Sequence, residues 1–185
     1  MINKLPYAFI FLIAASCVCF AQTDGDVQYK LLATTKTSTM QKELDETAAQ
    51  GYRIVAGSPT SGSEMVVFLS RDGTVEKPYR YKLLATTRTG TMQKELNEMA
   101  DVGYRLIPST MIAKEKPFGG VEIVMIMELP PGAKKRYEYK LLATNRTSTL
   151  QKEVTEAKDA GFILVGMFSR NEHIVVMERE SEFTP

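Results

Sequence analysis

One stretch of sixteen residues is written three times into this chain. Tyr29–Leu44 reads YKLLATTKTSTMQKEL, Tyr81–Leu96 reads YKLLATTRTGTMQKEL and Tyr139–Val154 reads YKLLATNRTSTLQKEV. Each copy runs on to a glycine and an aromatic: Gly51-Tyr52, Gly103-Tyr104 and Gly161-Phe162. The copies start 52 and then 58 residues apart. Self-similarity at such a period implies supersecondary units that bury their apolar faces on their neighbours. The 185 residues divide accordingly into a leader, 1–21, and three segments, 22–77, 78–135 and 136–185.

Each segment reads as β-α-β-β. In Tyr29–Thr34, alternation places Tyr29, Leu31 and Ala33 on one face and Lys30, Leu32 and Thr34 on the other, so each face carries a leucine. A Thr-rich turn then leads to a helix whose apolar stripe is Met40, Leu44 and Ala48, repeated as Met92, Leu96, Met99 and Ala100, and as Leu150, Val154 and Ala157. Ser38 to Gln41 and Ser148 to Gln151 have capping-box spacing, with Gly90 a weaker cap in the second copy. Gly51, Gly103 and Gly161 stand where a left-handed C-terminal cap is needed. Two strands follow, the last beginning near Glu64, Glu122 and Glu172. The glycine-to-glutamate spacing is 13, 19 and 11 residues, so the distal hairpin is the variable part.

The last strands are apolar on both faces: Val66 and Phe68 point one way, Met65 and Val67 the other. A helix covers only one side of a small sheet, so the other side must meet a neighbour. The expected fold class is α+β: three tandem β-α-β-β repeats with helices outside and sheets packed together. Short linkers favour closure about a pseudo-threefold axis. The odd number of repeats leaves pairing with a second chain as the alternative, so the chain is a monomer or a homo-oligomer.

The repeated unit resembles domain-of-unknown-function family 4177, small β-α-β-β modules with a Tyr-Lys first strand and a Leu-Asn-x-x-x-x-x-Gly-Trp centre. The second copy is most similar, with Tyr81-Lys82, Leu96-Asn97 and Gly103-Tyr104. The first has Leu44-Asp45, the third Val154-Thr155, and none has the tryptophan. The resemblance implies a fold and no activity.

Met1–Ala21 reads as a secretory signal peptide: Lys4 gives the positive start, Ala8–Phe20 the apolar run, and Ala21 the cleavage point. The run is short for a membrane span, and no second one follows, so no transmembrane segment is expected after cleavage. Lipidation at Cys17 is the less favoured route, because the usual aliphatic residue three positions earlier is missing. The expected location is secreted or periplasmic. Both cysteines, Cys17 and Cys19, leave with the leader, which excludes disulfides and thiolate sites from the exported chain. The 23 Lys and Arg face 22 Asp and Glu, and loss of Lys4 equalises them. Such a balance does not attract nucleic acid.

Along Tyr29–Arg53 and Tyr81–Arg105 the first two copies agree at 19 of 25 positions, whereas their final hairpins share only pattern. Candidate binding residues therefore come first from the Thr-rich turns: Thr35, Lys36 and Thr37; Thr87, Arg88 and Thr89; Arg146 and Thr147. Hydroxyls and a cation entering a helix N-terminus would suit an anionic ligand or a cell-wall glycan; the competing role is to brace the turn. Lys116 and Phe118 in the long second hairpin would distinguish partners, including proteins. The glutamates of Gln41–Glu46 and its copies read as a solvated face with Lys-Glu pairs, and lone His173 as a sheet-edge residue. Asn145-Arg146-Thr147 is a glycosylation sequon. No catalytic set, metal site or cofactor is expected. The reading is an exported, non-catalytic binding or scaffolding protein. Its alternatives are a hydrolase using carboxylates at a repeat interface and an oligomeric structural protein with no small ligand.

Overall fold

The computed structural model of the chain describes residues 27–59, 63–73, 77–116 and 119–182. The leader with Cys17, Cys19 and the cleavage point at Ala21, and also Pro117 and Phe118, lie outside them. The first segment contributes β1 (Gln28–Thr34), α1 (Thr37–Ala49), β2 (Arg53–Pro59) and β3 (Met65–Arg71). The second contributes β4 (Arg80–Thr86), α2 (Thr89–Ala100), β5 (Arg105–Leu106), a 3₁₀ turn (Pro108–Thr110), β6 (Ile112–Glu115) and β7 (Val121–Leu129). The third contributes β8 (Lys135–Thr144), α3 (Thr147–Asp159), β9 (Ile163–Ser169) and β10 (His173–Glu182). The fold is α+β, with three helices and three antiparallel sheets among the described residues.

Strand order is β1-β3-β2 in the first sheet and β8-β10-β9 in the third. In the second it is β4-β7-β5, with β6 also on β7. The last strand of each segment is thus the central one, flanked by the strands on either side of the helix. His173 accordingly opens a central strand, opposite Thr144 and Ser169, and is not at a sheet edge. The extra residues of the second segment break its middle strand into β5, the 3₁₀ turn and β6.

The helices begin two residues earlier than capping-box spacing predicts. Extended Lys36, Arg88 and Arg146 hold the N-cap positions, and no side chain caps any of the three. Instead Thr34, Thr86 and Thr144 each accept, through Oγ1, the N–H two residues on, bracing the turn as it leaves the strand. The C-terminal expectation holds. Gly51, Gly103 and Gly161 have φ of 84°, 94° and 86°, and the following aromatic N–H reaches back to Thr47, Met99 and Ala157 carbonyls. That is the Schellman arrangement, which only glycine enters cheaply.

Under α1, Met40, Leu44 and Ala48 meet Leu32, Met65, Val67 and Leu69. The same cluster continues into the second segment through Tyr81, Ile112, Val124 and Ile126. The cluster under α2 continues likewise into the third through Tyr139, Ile174 and Val176. Each following sheet therefore turns its second apolar face onto the helix and middle strand of the segment before it. Lys42–Glu46, Lys94–Glu98 and Lys152–Glu156 pairs stay in solvent, each at 3.7 Å. Lys30, however, reaches the Gln50 side chain rather than a helix glutamate.

The joint is made twice and not a third time. Tyr29 is 69% exposed where its counterparts Tyr81 and Tyr139 are 3% and 1% exposed. Under α3 only Ala157, Phe162, Val175 and Met177 form the buried cluster, with Leu150 and Val154 half-covered. The expected closure about a threefold axis is therefore not found: no described segment lies on the outer face of the first sheet. At the would-be third joint Ile163 and Ser70 stand where the other two have an ion pair.

Replacing Gly103 by Ala should destabilise the fold by about 1–2 kcal/mol, because an L residue enters the left-handed region at that cost. A Cβ there would also sit 3.2 Å from Leu129 Cδ1, against 3.5 Å from Arg179 Cδ at Gly161. Chemical denaturation should rank Gly103→Ala at least as damaging as Gly161→Ala.

Candidate functional site

The polar chemistry of this molecule is concentrated at its joints. β4 is an edge strand, so the N–H and C=O groups along its outer side need partners from elsewhere. Gln41 of α1 supplies them: its Nε2 donates to the Tyr81 carbonyl at 3.0 Å and its Oε1 accepts from Leu83 N–H at 2.7 Å. One primary amide thus stands in for a neighbouring strand. At β8 two side chains share the task. Gln93 Oε1 accepts from Leu141 N–H at 2.9 Å, and Asn97 exchanges two hydrogen bonds with the Tyr139 backbone, at 2.7 and 3.1 Å.

A tyrosine works back in the opposite direction. Tyr81 Oη accepts from Ile54 N–H at 3.1 Å, and Tyr139 Oη accepts from Leu106 N–H at 2.8 Å. In β2 the ladder to β3 shifts register between Ile54 and Ala56, next to the bonded amide. An arginine beside each of these amides completes the joint. Arg53 pairs with Glu128 at 3.1 Å and stacks over Tyr79; Arg105 pairs with Glu178 at 2.8 Å and lies over Tyr137.

Glu178 is the one buried carboxylate of the described chain, and all its partners are structural: the Arg105 fork and the Tyr139 hydroxyl at 2.8 Å. The hydrogen bond to Glu178 holds Arg105 above the usual guanidinium range. Sequence reasoning passed over Glu178. The available signal was its alignment with Glu128 and with Ser70, two acids and one hydroxyl at the end of the same strand.

The Thr-rich turns prove to be part of the joints. Buried Lys114 of β6 donates to the Thr35 carbonyl at 3.2 Å and pairs with Glu122. Arg170 donates to the Thr87 carbonyl at 2.7 Å and pairs with Glu172. Each of these turns is thereby tied to the segment that follows it. Lys36, Thr35, Thr87, Arg88, Arg146 and Thr147 are exposed, with Thr37 and Thr89 half-buried at the helix starts. Lys116 closes the β6–β7 hairpin through backbone bonds with Gly119 and Gly120.

Two shallow grooves run beside the joints. One of about 500 Å³ lies along β4 between α1 and α2, from Thr37, Ser38 and Gln41 to Lys82, Glu95 and Glu98. Its counterpart of about 320 Å³ lies along β8, from Thr89 and Gln93 to Glu153. A third cleft of about 430 Å³ gathers Arg53, Arg71, Lys77 and Asp72, but Arg53 is held by Glu128 and Arg71 by Gln28 and the Gln50 carbonyl. Among the described residues no three His, Cys, Asp or Glu side chains cluster as a metal site requires, and no helix is long and apolar enough to cross a membrane. His173 Nδ1 lies 3.2 Å from Ser169 Oγ in an exposed contact.

Burial pushes the Tyr81 phenol from 10 up to about 12. The unfolded chain releases that proton from pH 10 while the folded protein keeps it. Stability must therefore fall as pH rises through this window. Thermal melts from pH 9 to 12 should show a loss that is shallower in Tyr81→Phe by about one proton. Equal slopes would mean that the hydroxyl is not buried. No protein-family model, curated protein or solved structure matches the chain, so the geometry of the joints carries the functional reading.

Proposed function

We propose that this is an exported, non-catalytic scaffolding protein, a tandem of three β-α-β-β modules of the kind its resemblance to family 4177 implies. It works through the two ends of its stack. The supporting observation is that both ends are apolar and uncovered. At one end Tyr29, Leu31 and Phe68 line the outer face of the first sheet; at the other, Ile163, Leu164 and Met167 of β9 lie open. Exposed apolar patches of this kind mark interaction surfaces.

Hydrolysis has less to support it. Acid–base catalysis needs carboxylates in differentiated environments within reach of substrate. The distinctive carboxylate here, Glu178, is committed to Arg105 and Tyr139. A glycan or anion held by the turns is likewise a weaker reading, since the N–H groups of Lys36, Arg88 and Arg146 are already taken by the hydroxyls of Thr34, Thr86 and Thr144.

A photo-crosslinking amino acid placed singly at Leu31, Leu164 or Lys82 tests this in the exporting cell. Adducts to other macromolecules at Leu31 and Leu164, and not at Lys82 in the groove, are expected. Adducts at Lys82 alone would overturn the reading in favour of a groove-bound ligand.

A further inference from the structure

The two ends are the unmatched halves of the joint that the chain already makes twice. We propose that the partner is a second copy of this chain, docked head to tail, with α3 and β9 of one copy on the first sheet of the next. This rests on the scaffolding reading and names its partner.

The correspondence runs residue by residue. The covered face of the second sheet consists of Tyr81, Leu83, Ala85, Val124, Ile126 and Glu128, which are cross-strand neighbours in register. The first sheet presents Tyr29, Leu31, Ala33, Val66, Phe68 and Ser70 in the same register, uncovered. On the other side, Leu164 occupies the place of Ile54 and Leu106. It is 54% exposed where they are 8% and 3% exposed. β9 repeats the register shift next to that position, between Val176 and Met177 on its partner strand. Gln151 occupies the place of Gln41 and Gln93, exposed and turned onto Thr155 of its own helix.

The bond to Thr155 leaves Gln151 its Oε1 and a second Nε2 proton for a joint, as Gln41 serves its joint while also bonding Asp45. The Gln151 amide would meet the Tyr29 carbonyl and Leu31 N–H, and Tyr29 Oη would accept from Leu164 N–H. The ion pair and its stacked aromatic are the features missing: Ile163 and Ser70 stand where Arg53–Glu128 and Arg105–Glu178 stand in the made joints, and Val27 where Tyr79 and Tyr137 stack. Their replacement leaves no charge to bury unpaired, so the contact is permitted between chains. The joint is heterologous, since different surfaces meet, and it repeats from copy to copy.

The test is sedimentation velocity on the full chain, expressed with its leader and purified as the cell processes it, over about a hundredfold range of concentration. Association that grows with concentration is expected. Leu31→Asp and Leu164→Asp, both at exposed positions, should each be monomeric, with circular dichroism confirming that they remain folded. Mixed together they should form a one-to-one dimer and stop there, because each variant retains the end that the other lacks. A wild type monomeric throughout, a mixture that fails to pair, or association lost in only one variant would each overturn the proposal. Crosslinks at Leu31 and Leu164 to other macromolecules from a monomeric protein would leave the scaffolding reading standing, and their absence would remove it as well.

Discussion

An edge strand whose backbone is satisfied by a side-chain amide is the interaction on which this architecture rests. A segment's helix and first strand are linked covalently, but segments are joined only by short connections that do not fix their relative placement. Gln41 fixes it at the first joint, and Gln93 with Asn97 at the second. Two backbone groups bonded by one planar amide define position along the strand as well as distance from it. The tyrosine returning from the strand to a middle-strand amide then sets the tilt. With these in place, the second apolar face of each following sheet closes the core of the segment before it.

This explains why the first halves of the copies are alike while their hairpins diverge. Tyr81 and Tyr139, Gln41 and Gln93 act at the joints, each specified by a partner on another segment, while Thr34, Thr86 and Thr144 brace their own turns. The hairpins make cross-segment contacts that differ from joint to joint, Lys114 to Thr35 at one and Arg170 to Thr87 at the other. In the second segment the extra length becomes a wedge: the 3₁₀ turn lies beside Gly57 on one side, and Met111 fills the space beside Gly166 on the other. A Cβ on Gly166 would fall 2.0 Å from Met111 Cε, so that contact depends on glycine. Similarity among copies therefore reads here as shared construction, and the turns need no ligand to account for it.

Much of the segment was legible in the sequence, because it follows from local rules. Alternation placed the strands, the stripe of Met40, Leu44 and Ala48 placed the helix, and Gly51 marked its left-handed end. Leucines on both faces of the first strand implied two covered faces, which β4 and β8 have, whereas Leu31 of β1 stays 52% exposed. What was not legible depends on contacts distant in the chain. Ser38 and Gln41 have capping-box spacing, as do Ser148 and Gln151, but both helices start two residues earlier at an extended Lys36 or Arg146, so neither pair forms the box. Closure was expected because the linkers are short, yet the outer face of the first sheet stays open, with Tyr29 69% exposed. Glu178 looked like any surface acid until the fold placed Arg105 and Tyr139 around it.

The most direct measurement is a pair of matched truncations, Gln93→Ala and Gln151→Ala, unfolded by denaturant in dilute solution. The two residues occupy the same helical position, and only Gln93 has a strand to bond. Removing it takes the partner from a part-buried backbone donor, Leu141 N–H, so a loss of about 1 kcal/mol is predicted. Gln151→Ala should stay within about 0.5 kcal/mol, as an exposed site does. Equal effects from the two would contradict the claim that helix-borne amides hold the segments together.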